Sequence, residues 1–303
     1  MPYALCPWPL PGIVMPYEKS THLLPGGAVL VECGPMRLVI DARIGQVAQP
    51  QQALRAADEA VKFLEGVAAA RPFLGRDYRE RMARVTEPLA VKMIASVQAV
   101  GDADLTPMAA VAGTIADAVA DFLFQRGMTR VLVDNGGDIA IRSCDGEPVA
   151  VGIRPQVDHP GISHTVVLGP ERTAWGVATS GLGGRSLTRG ILEAATIIAA
   201  DAGSADAAAT AVANASYFAD GAVVREPAQA VDPYTDIAGL EVTVRVNPLA
   251  EEKKQQAIDQ ALRRAEDLIE NRIILGAFVA CQGRLAMTRF IAERVITPSK
   301  KPI

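Results

Sequence analysis

The 303 residues carry 30 Lys+Arg against 34 Asp+Glu; 50% of the chain is apolar and 5% aromatic. That balance excludes intrinsic disorder, which needs low hydrophobicity and high net charge. It also excludes a nucleic-acid partner bound through counterion release, because no basic excess exists to neutralise phosphates, and a base-stacking platform, which needs aromatics.

The start, Met1 to Pro11, lacks a basic leader, and its apolar stretch is broken by Pro7, Pro9 and Pro11. No apolar run approaches the ~18 residues a bilayer span needs. Cys6, Cys33, Cys144 and Cys281 form no CxxC pair, and His22, His159 and His164 no HxxxH pair. A cytoplasmic protein with no membrane partner is expected. Residues 1–26 are Pro-rich and predict an irregular arm, followed by one domain of two intimate lobes over 27–303.

Residues 28–33 and 36–40 flank Gly34-Pro35 and predict paired strands. Over 50–70, Leu54, Ala57, Ala60, Val61 and Leu64 recur at helical spacing. A second helical pattern over 77–100 is interrupted near Pro88, and a third runs over 107–126. Residues 131–133 and 139–141 are strands around Asn135-Gly136-Gly137, a strong hairpin signal. Residues 149–153 and 165–168 extend a meander. Residues 194–199 form a strand leading into an Ala-rich helix over 204–215, with Ser204 as its N-cap. Asn247-Pro248 opens a helix to about 271, with Asn as cap and Pro at the first position. Its stripe is Leu249, Ile258, Ala261, Leu262, Ala265, Leu268 and Ile269, a face suited to a homodimer contact. Residues 273–281 and 285–290 close with a hairpin at Gln282-Gly283. The pattern is α+β, with antiparallel strands and helices on one face.

Three segments place small and polar residues where packing alone would prefer large ones. In Thr106-Pro107-Met108-Ala109-Ala110-Val111-Ala112-Gly113, a Gly/Ala-rich helix entry lets a ligand approach the backbone, and its free first-turn amides suit an anion. Tight packing of small residues is the alternative. In Asp134-Asn135-Gly136-Gly137-Asp138 the turn explains Asn135 and Gly136, but two neighbouring carboxylates repel unless a cation or donors offset them. Thr179-Ser180-Gly181-Leu182-Gly183-Gly184-Arg185-Ser186 offers hydroxyls, amides and a guanidinium that hold phosphate or carboxylate. Asp206 and Thr210 lie four apart and share a helix face. They are two hard oxygen ligands of the kind Mg²⁺ takes. Helix capping is the alternative there.

The order PMAAVAG, NGGDI, ATSG-x4-S and ADAAAT-x3-N, from Pro107 to Asn214, resembles the ApbE-like superfamily. It is most similar to an uncharacterised branch of cytoplasmic homologues, some in methanopterin-using organisms. The resemblance implies a T-fold-like α+β architecture with Mg²⁺ and FAD or FMN as cofactors. The implied metal ligands are Asp206, Thr210 and the carbonyl of Val111. The implied cofactor contacts are Met108, Asn135, Gly136, Gly137, Asp138, Thr179, Ser180, Gly181 and Ser186. The catalytic set is Asp206, Thr210 and Arg185, and Asp117 matches the superfamily's helix Asp. Two departures stand out. Ala112 replaces the Lys of A-K-G. The superfamily's H-x-x-D-P-x-T-G segment is missing between Gly181 and Ala205, with only an echo at Asp232-Pro233-Tyr234-Thr235. The expectation is therefore a Mg²⁺-dependent enzyme with a small, nucleotide-like ligand and chemistry other than classical FMN transfer. The alternatives are an enzyme acting on a pterin-like or other heterocycle in one-carbon metabolism, and a non-catalytic binding protein.

Overall fold

Three tight turns organise the sheet. The computed structural model describes residues 17–156, 161–184 and 186–296. Cys33 and Met36 face each other across Gly34-Pro35, so β2 (Val29–Cys33) and β3 (Met36–Ile44) form the expected hairpin. β1 (Lys19–Leu23) pairs with β2, so this part of the expected irregular arm is a strand. A two-residue β4 (Val47–Ala48) folds back on β3. β5 (Arg130–Asn135) and β6 (Asp138–Ser143) turn at Gly136 and Gly137, both with positive φ, which the hairpin requires and glycine supplies without strain.

β7 (Val149–Ile153) and β8 (His164–Leu168) leave the main sheet, and β15 (Val295–Ile296) joins them in a separate three-stranded sheet. β9 (Ala174–Ser180) and β10 (Ala194–Ala199) return to the main one. β11 (Val223–Pro227) and β12 (Glu241–Val246) pair only with each other. β13 (Gly276–Cys281) and β14 (Arg284–Met287) form the predicted closing hairpin. The main sheet runs β1-β2-β3-β5-β6-β9-β10-β13-β14, every described pairing antiparallel.

The helices are α1 (Pro50–Ala70), α2 (Tyr78–Arg81), α3 (Pro88–Val100), α4 (Val111–Phe124), α5 (Ala202–Ala215), α6 (Ala228–Val231), α7 (Glu251–Glu270) and α8 (Arg289–Ala292). Pro88 does not interrupt a helix. It opens α3 at a position where a missing N–H costs nothing, with Glu87 as N-cap. Asp201, not Ser204, caps α5, accepting from the Ser204 amide at 2.8 Å. α7 begins at Glu251 with Ala250 as cap; Asn247 instead accepts from the Gln282 amide group at 3.0 Å.

One face of the main sheet carries α1, α4, α5 and α7 over the larger core. The other face is covered by the three-stranded sheet, through a second cluster that includes Ile141, Val151, Trp175, Val177 and Phe278. α5 is the central helix, packed against β9, β10, α3, α4 and α7. Neighbours on every side explain its composition, since alanine lets them all approach closely and a helix apolar all round belongs in a core. The helical stretch Pro107–Phe124 is long and apolar enough to cross a bilayer by length and composition, but 61% of it is buried in this core.

Candidate functional site

The amino ends of α4 and α5 meet at a crossing that only glycine permits. A Cβ on Gly113 would lie 2.1 Å from the Ala202 carbonyl oxygen and 2.9 Å from the Gly203 nitrogen. A Cβ on Gly203 would lie 2.7 Å from the Thr114 hydroxyl. The close approach lets each helix supply a carboxylate to the other's first turn. Asp117, on α4, accepts from the Gly203 amide at 2.9 Å. Asp206, on α5, accepts from the Gly113 amide at 3.0 Å. The first-turn amides of Gly113 and Gly203 therefore face protein carboxylates, and the sequence expectation of free amides awaiting an anion is corrected to that extent. These carboxylates satisfy helix donors and complement both dipoles.

The two carboxylates differ in their counter-charge. Asp117 accepts from Arg142 at 3.0 Å, and Arg142 also donates to Asp121 at 2.7 Å. Asp117 and Arg142 are each 7% exposed. Burial pushes the Asp117 carboxyl up, and Arg142 and the Gly203 amide act against that push. Asp206 has no ion pair among the described residues. Asp206 is half-buried, and the desolvation of its carboxyl pushes it up to about 7 despite the amides of Gly113 and Ala112, with Asp117 adding repulsion.

Strand alternation settles which flanking residues join this crossing. Asn135 lies on the helix face with Val131 and Val133, and its amide donates to the Ala112 carbonyl at 3.1 Å. Asp138 is its register partner and shares that face. Asp134 falls on the opposite face, where it accepts from the Gly137 amide at 2.7 Å. The two carboxylates are thus separated by the sheet, which removes the repulsion expected between them. On β9, Ser180 alternates with Gly176 and Ala178 toward α5, whereas Thr179 faces the three-stranded sheet and bonds the Thr196 hydroxyl at 2.8 Å. Thr179 and Ser180, expected side by side at a ligand, point to opposite sides. Gly181 follows at the strand end, where a Cβ would meet the Glu193 carbonyl oxygen at 2.4 Å. Ser186 is exposed, and Arg185 lies outside the described residues.

Thr210 lies one turn beyond Asp206 on α5 and is half-buried. Val111 begins α4, and Met108 lies half-buried in the preceding 3₁₀ turn, Pro107–Ala110. Among the described residues no group of three or more His, Cys, Asp and Glu side chains comes together as a metal centre. A leaner set of one carboxylate, one hydroxyl and a main-chain carbonyl suits Mg²⁺, which keeps several waters. The half-buried Asp206 carboxyl, without an ion pair among the described residues, is the observation that fits a cation.

Two features escaped the sequence analysis. Arg142 sits one residue past the predicted strand 139–141, and alternation from Ala140 would have aimed it at α4. Asp236 accepts from the buried Thr106 hydroxyl, which brings the Asp232-Pro233-Tyr234-Thr235 segment beside the Pro107 turn despite its position in chain order. No local signal announces that contact. Burial pushes the Asp236 carboxyl up.

A family model described as "AbpE bacteria" matches residues 21–287. A UPF0280 protein of Methanosphaerula palustris is 39% identical over 117 residues, 38% of this chain and 48% of that protein. One from Methanocella arvoryzae is 43% identical over 121 residues, 38% of this chain and 46% of that protein. The chain spans about half the length of these curated relatives. Among solved structures, the flavin transferase ApbE from Vibrio cholerae aligns with a TM-score of 0.47 at 14% identity, covering 92% of this chain and all of the other. The apo flavinyl transferase ApbE of Pseudomonas stutzeri aligns at 0.44 and 14%, covering 93% and 99%. Because the family match spans nearly all the described residues, the chain belongs to the AbpE bacteria family, and so to the ApbE-like superfamily that its motifs resemble.

Proposed function

We propose that the α4–α5 crossing is the centre of a Mg²⁺-assisted enzyme that binds a flavin nucleotide, FAD or FMN, or a similar phosphorylated planar cofactor. Family membership supports the cofactor class. The half-buried Asp206 carboxyl, without a cationic partner among the described residues, carries the metal reading.

In this reading Asp206, Thr210 and the Val111 carbonyl hold Mg²⁺, which when bound polarises a phosphoryl oxygen. Asp117 fixes the start of α5 through Gly203, and Arg142 keeps Asp117 in place. Asn135 and Asp138 border the ligand on the helix face. Ser180, Gly181 and Ser186 form the rim, and Arg185 is assigned the role of anion-holding cation. Met108 packs against the planar ring. Ala112 supplies no phosphate-side cation, so the chemistry differs from classical FMN transfer.

Thermal unfolding with Mg²⁺ and FMN or FAD, singly and together, tests the reading. The expected result is a rise in Tm with both present, since a ligand that binds only the native state stabilises it. The rise should vanish in Asp206→Ala. No shift with any combination overturns the proposal.

A further inference from the structure

We infer that the arginine-rich segment 71–84, with the loop it grips at 231–239, forms a docking surface for an acidic polypeptide next to the candidate site. This inference does not rest on the flavin reading. The segment holds Arg71, Arg76, Arg79, Arg81 and Arg84 against only Asp77 and Glu80, in a chain of net charge −4.

Few of these guanidinium groups are met by a carboxylate, although Arg81 pairs with Asp77 at 2.6 Å. Several arginines elsewhere meet carboxylates, as in Arg43–Asp41, Arg189–Asp104, Arg264–Asp102 and Arg284–Glu251, while Arg126 and Arg225 donate to carbonyls. Here Arg76 and Arg79 grip neutral backbone. Arg76 donates to the Ala238 carbonyl at 3.3 Å, and Arg79 to the carbonyls of Ala103 and Asp102 at 3.2 and 3.3 Å. Arg71 donates to the Tyr234 carbonyl. Arg76, Arg79 and Arg84 are exposed and have no carboxylate partner among the described residues. A carbonyl orders a guanidinium without cancelling its charge, and each guanidinium offers five N–H donors, most still unused. Ordering before the encounter reduces the entropy lost on binding.

The surface also exposes apolar area, with Met82 and Tyr234 each 41% accessible. Arginine, methionine and tyrosine are enriched in protein interfaces. The same contacts join the patch to the site, because Asp236 of the gripped loop bonds Thr106 at the head of the Pro107 turn. Exposed, unneutralised guanidinium groups, those of Arg76 and Arg79 held by carbonyls, beside apolar side chains are complementary to a carboxylate-rich chain.

Fluorescence anisotropy of labelled decaglutamate against the full chain at low salt tests this. Wild type should bind. Arg76→Gln/Arg79→Gln/Arg84→Gln should bind about tenfold more weakly. A control triple, Arg55→Gln/Arg245→Gln/Arg272→Gln, changes net charge equally at exposed positions elsewhere and should bind as wild type. Because Arg76 and Arg79 brace loops, Arg84→Glu alone is the second variant, and it should weaken binding with Tm unchanged. The inference is overturned if wild type does not bind, if both triples weaken binding equally, if Arg84→Glu binds as wild type, or if oligo(dT) of equal charge binds as tightly as the peptide.

Discussion

Asp117 and Asp206 are the same side chain in mirror-image tasks. Each sits on one helix of the crossing, and each accepts an amide from the first turn of the other. Among the described residues only Asp117 has a guanidinium against it. Burial raises both carboxyls, but Arg142 counteracts it at Asp117, whereas at Asp206 only neutral amides do. Two amides and a helix end are weak compensation for a half-buried charge, because dipoles fall short of a full counter-ion. One carboxylate has a built-in counter-ion, and for the other none is present among the described residues. In the proposed reading the α4–α5 crossing is half structural clasp and half binding centre.

Removing the guanidinium breaks the comparison most severely. Arg142→Met leaves Asp117 and Asp121 beside each other without a cation. Losing one partner of a buried pair costs about 3–5 kcal/mol. Urea unfolding should show that loss, and Asp117→Asn/Arg142→Met should recover part of it. If the single variant is as stable as wild type, Asp117 does not depend on Arg142 and the two sites are equivalent after all.

How far sequence reaches into this arrangement depends on the range of each contact. The hairpins at Gly34-Pro35, Asn135-Gly136 and Gln282-Gly283 were legible because turn chemistry is local. Asp206 and Thr210 were legible as a pair because helical spacing is local too. β9 was not, because Ala174–Ser180 is covered on both faces and shows no apolar–polar alternation. With the strand hidden, Thr179 and Ser180 looked like neighbours in one loop, although the pleat sends them to opposite faces. The partner of the Gly203 amide lies 86 residues away, and that of the Gly113 amide 93. No local pattern encodes such a meeting. What the sequence did carry was its steric precondition, glycine at 113 and 203 inside otherwise alanine-rich helix starts.

A smaller loss tests whether closeness of the helices is what makes the clasp. Gly113→Ala places a methyl 2.1 Å from a backbone carbonyl oxygen that cannot rotate away. Overpacking of this kind costs about 1–3 kcal/mol, against the roughly 1 kcal/mol that Gly→Ala gains in an unobstructed helix. Gly221→Ala, where nothing lies within 4 Å, is the control and should leave the unfolding midpoint near wild type. A neutral Gly113→Ala would mean the helices sit further apart and each carboxylate has lost its amide.

The finest discrimination is a difference in pH dependence. An unfolded Asp carboxyl titrates near 3.8, and the folded Asp206 near 7. Its folded value is raised, so between these limits the native state binds more protons than the unfolded one. The stabilising contribution is complete below about pH 4 and is lost as pH rises through about 7. Asp206→Asn keeps an oxygen for the Gly113 amide but has nothing to titrate. Relative to wild type, that variant should gain about 2 kcal/mol between pH 5 and pH 8 in urea unfolding. Mg²⁺ then separates cap from ligand. A divalent ion favours the ionised carboxylate, so it should stabilise wild type at pH 8, have little effect at pH 5, and not act on the variant. Parallel pH profiles for the two proteins would mean that Asp206 is solvated like an ordinary surface acid. A pH difference that Mg²⁺ leaves untouched would make Asp206 a second structural cap, equal in role to Asp117, and the metal reading of the crossing would fail.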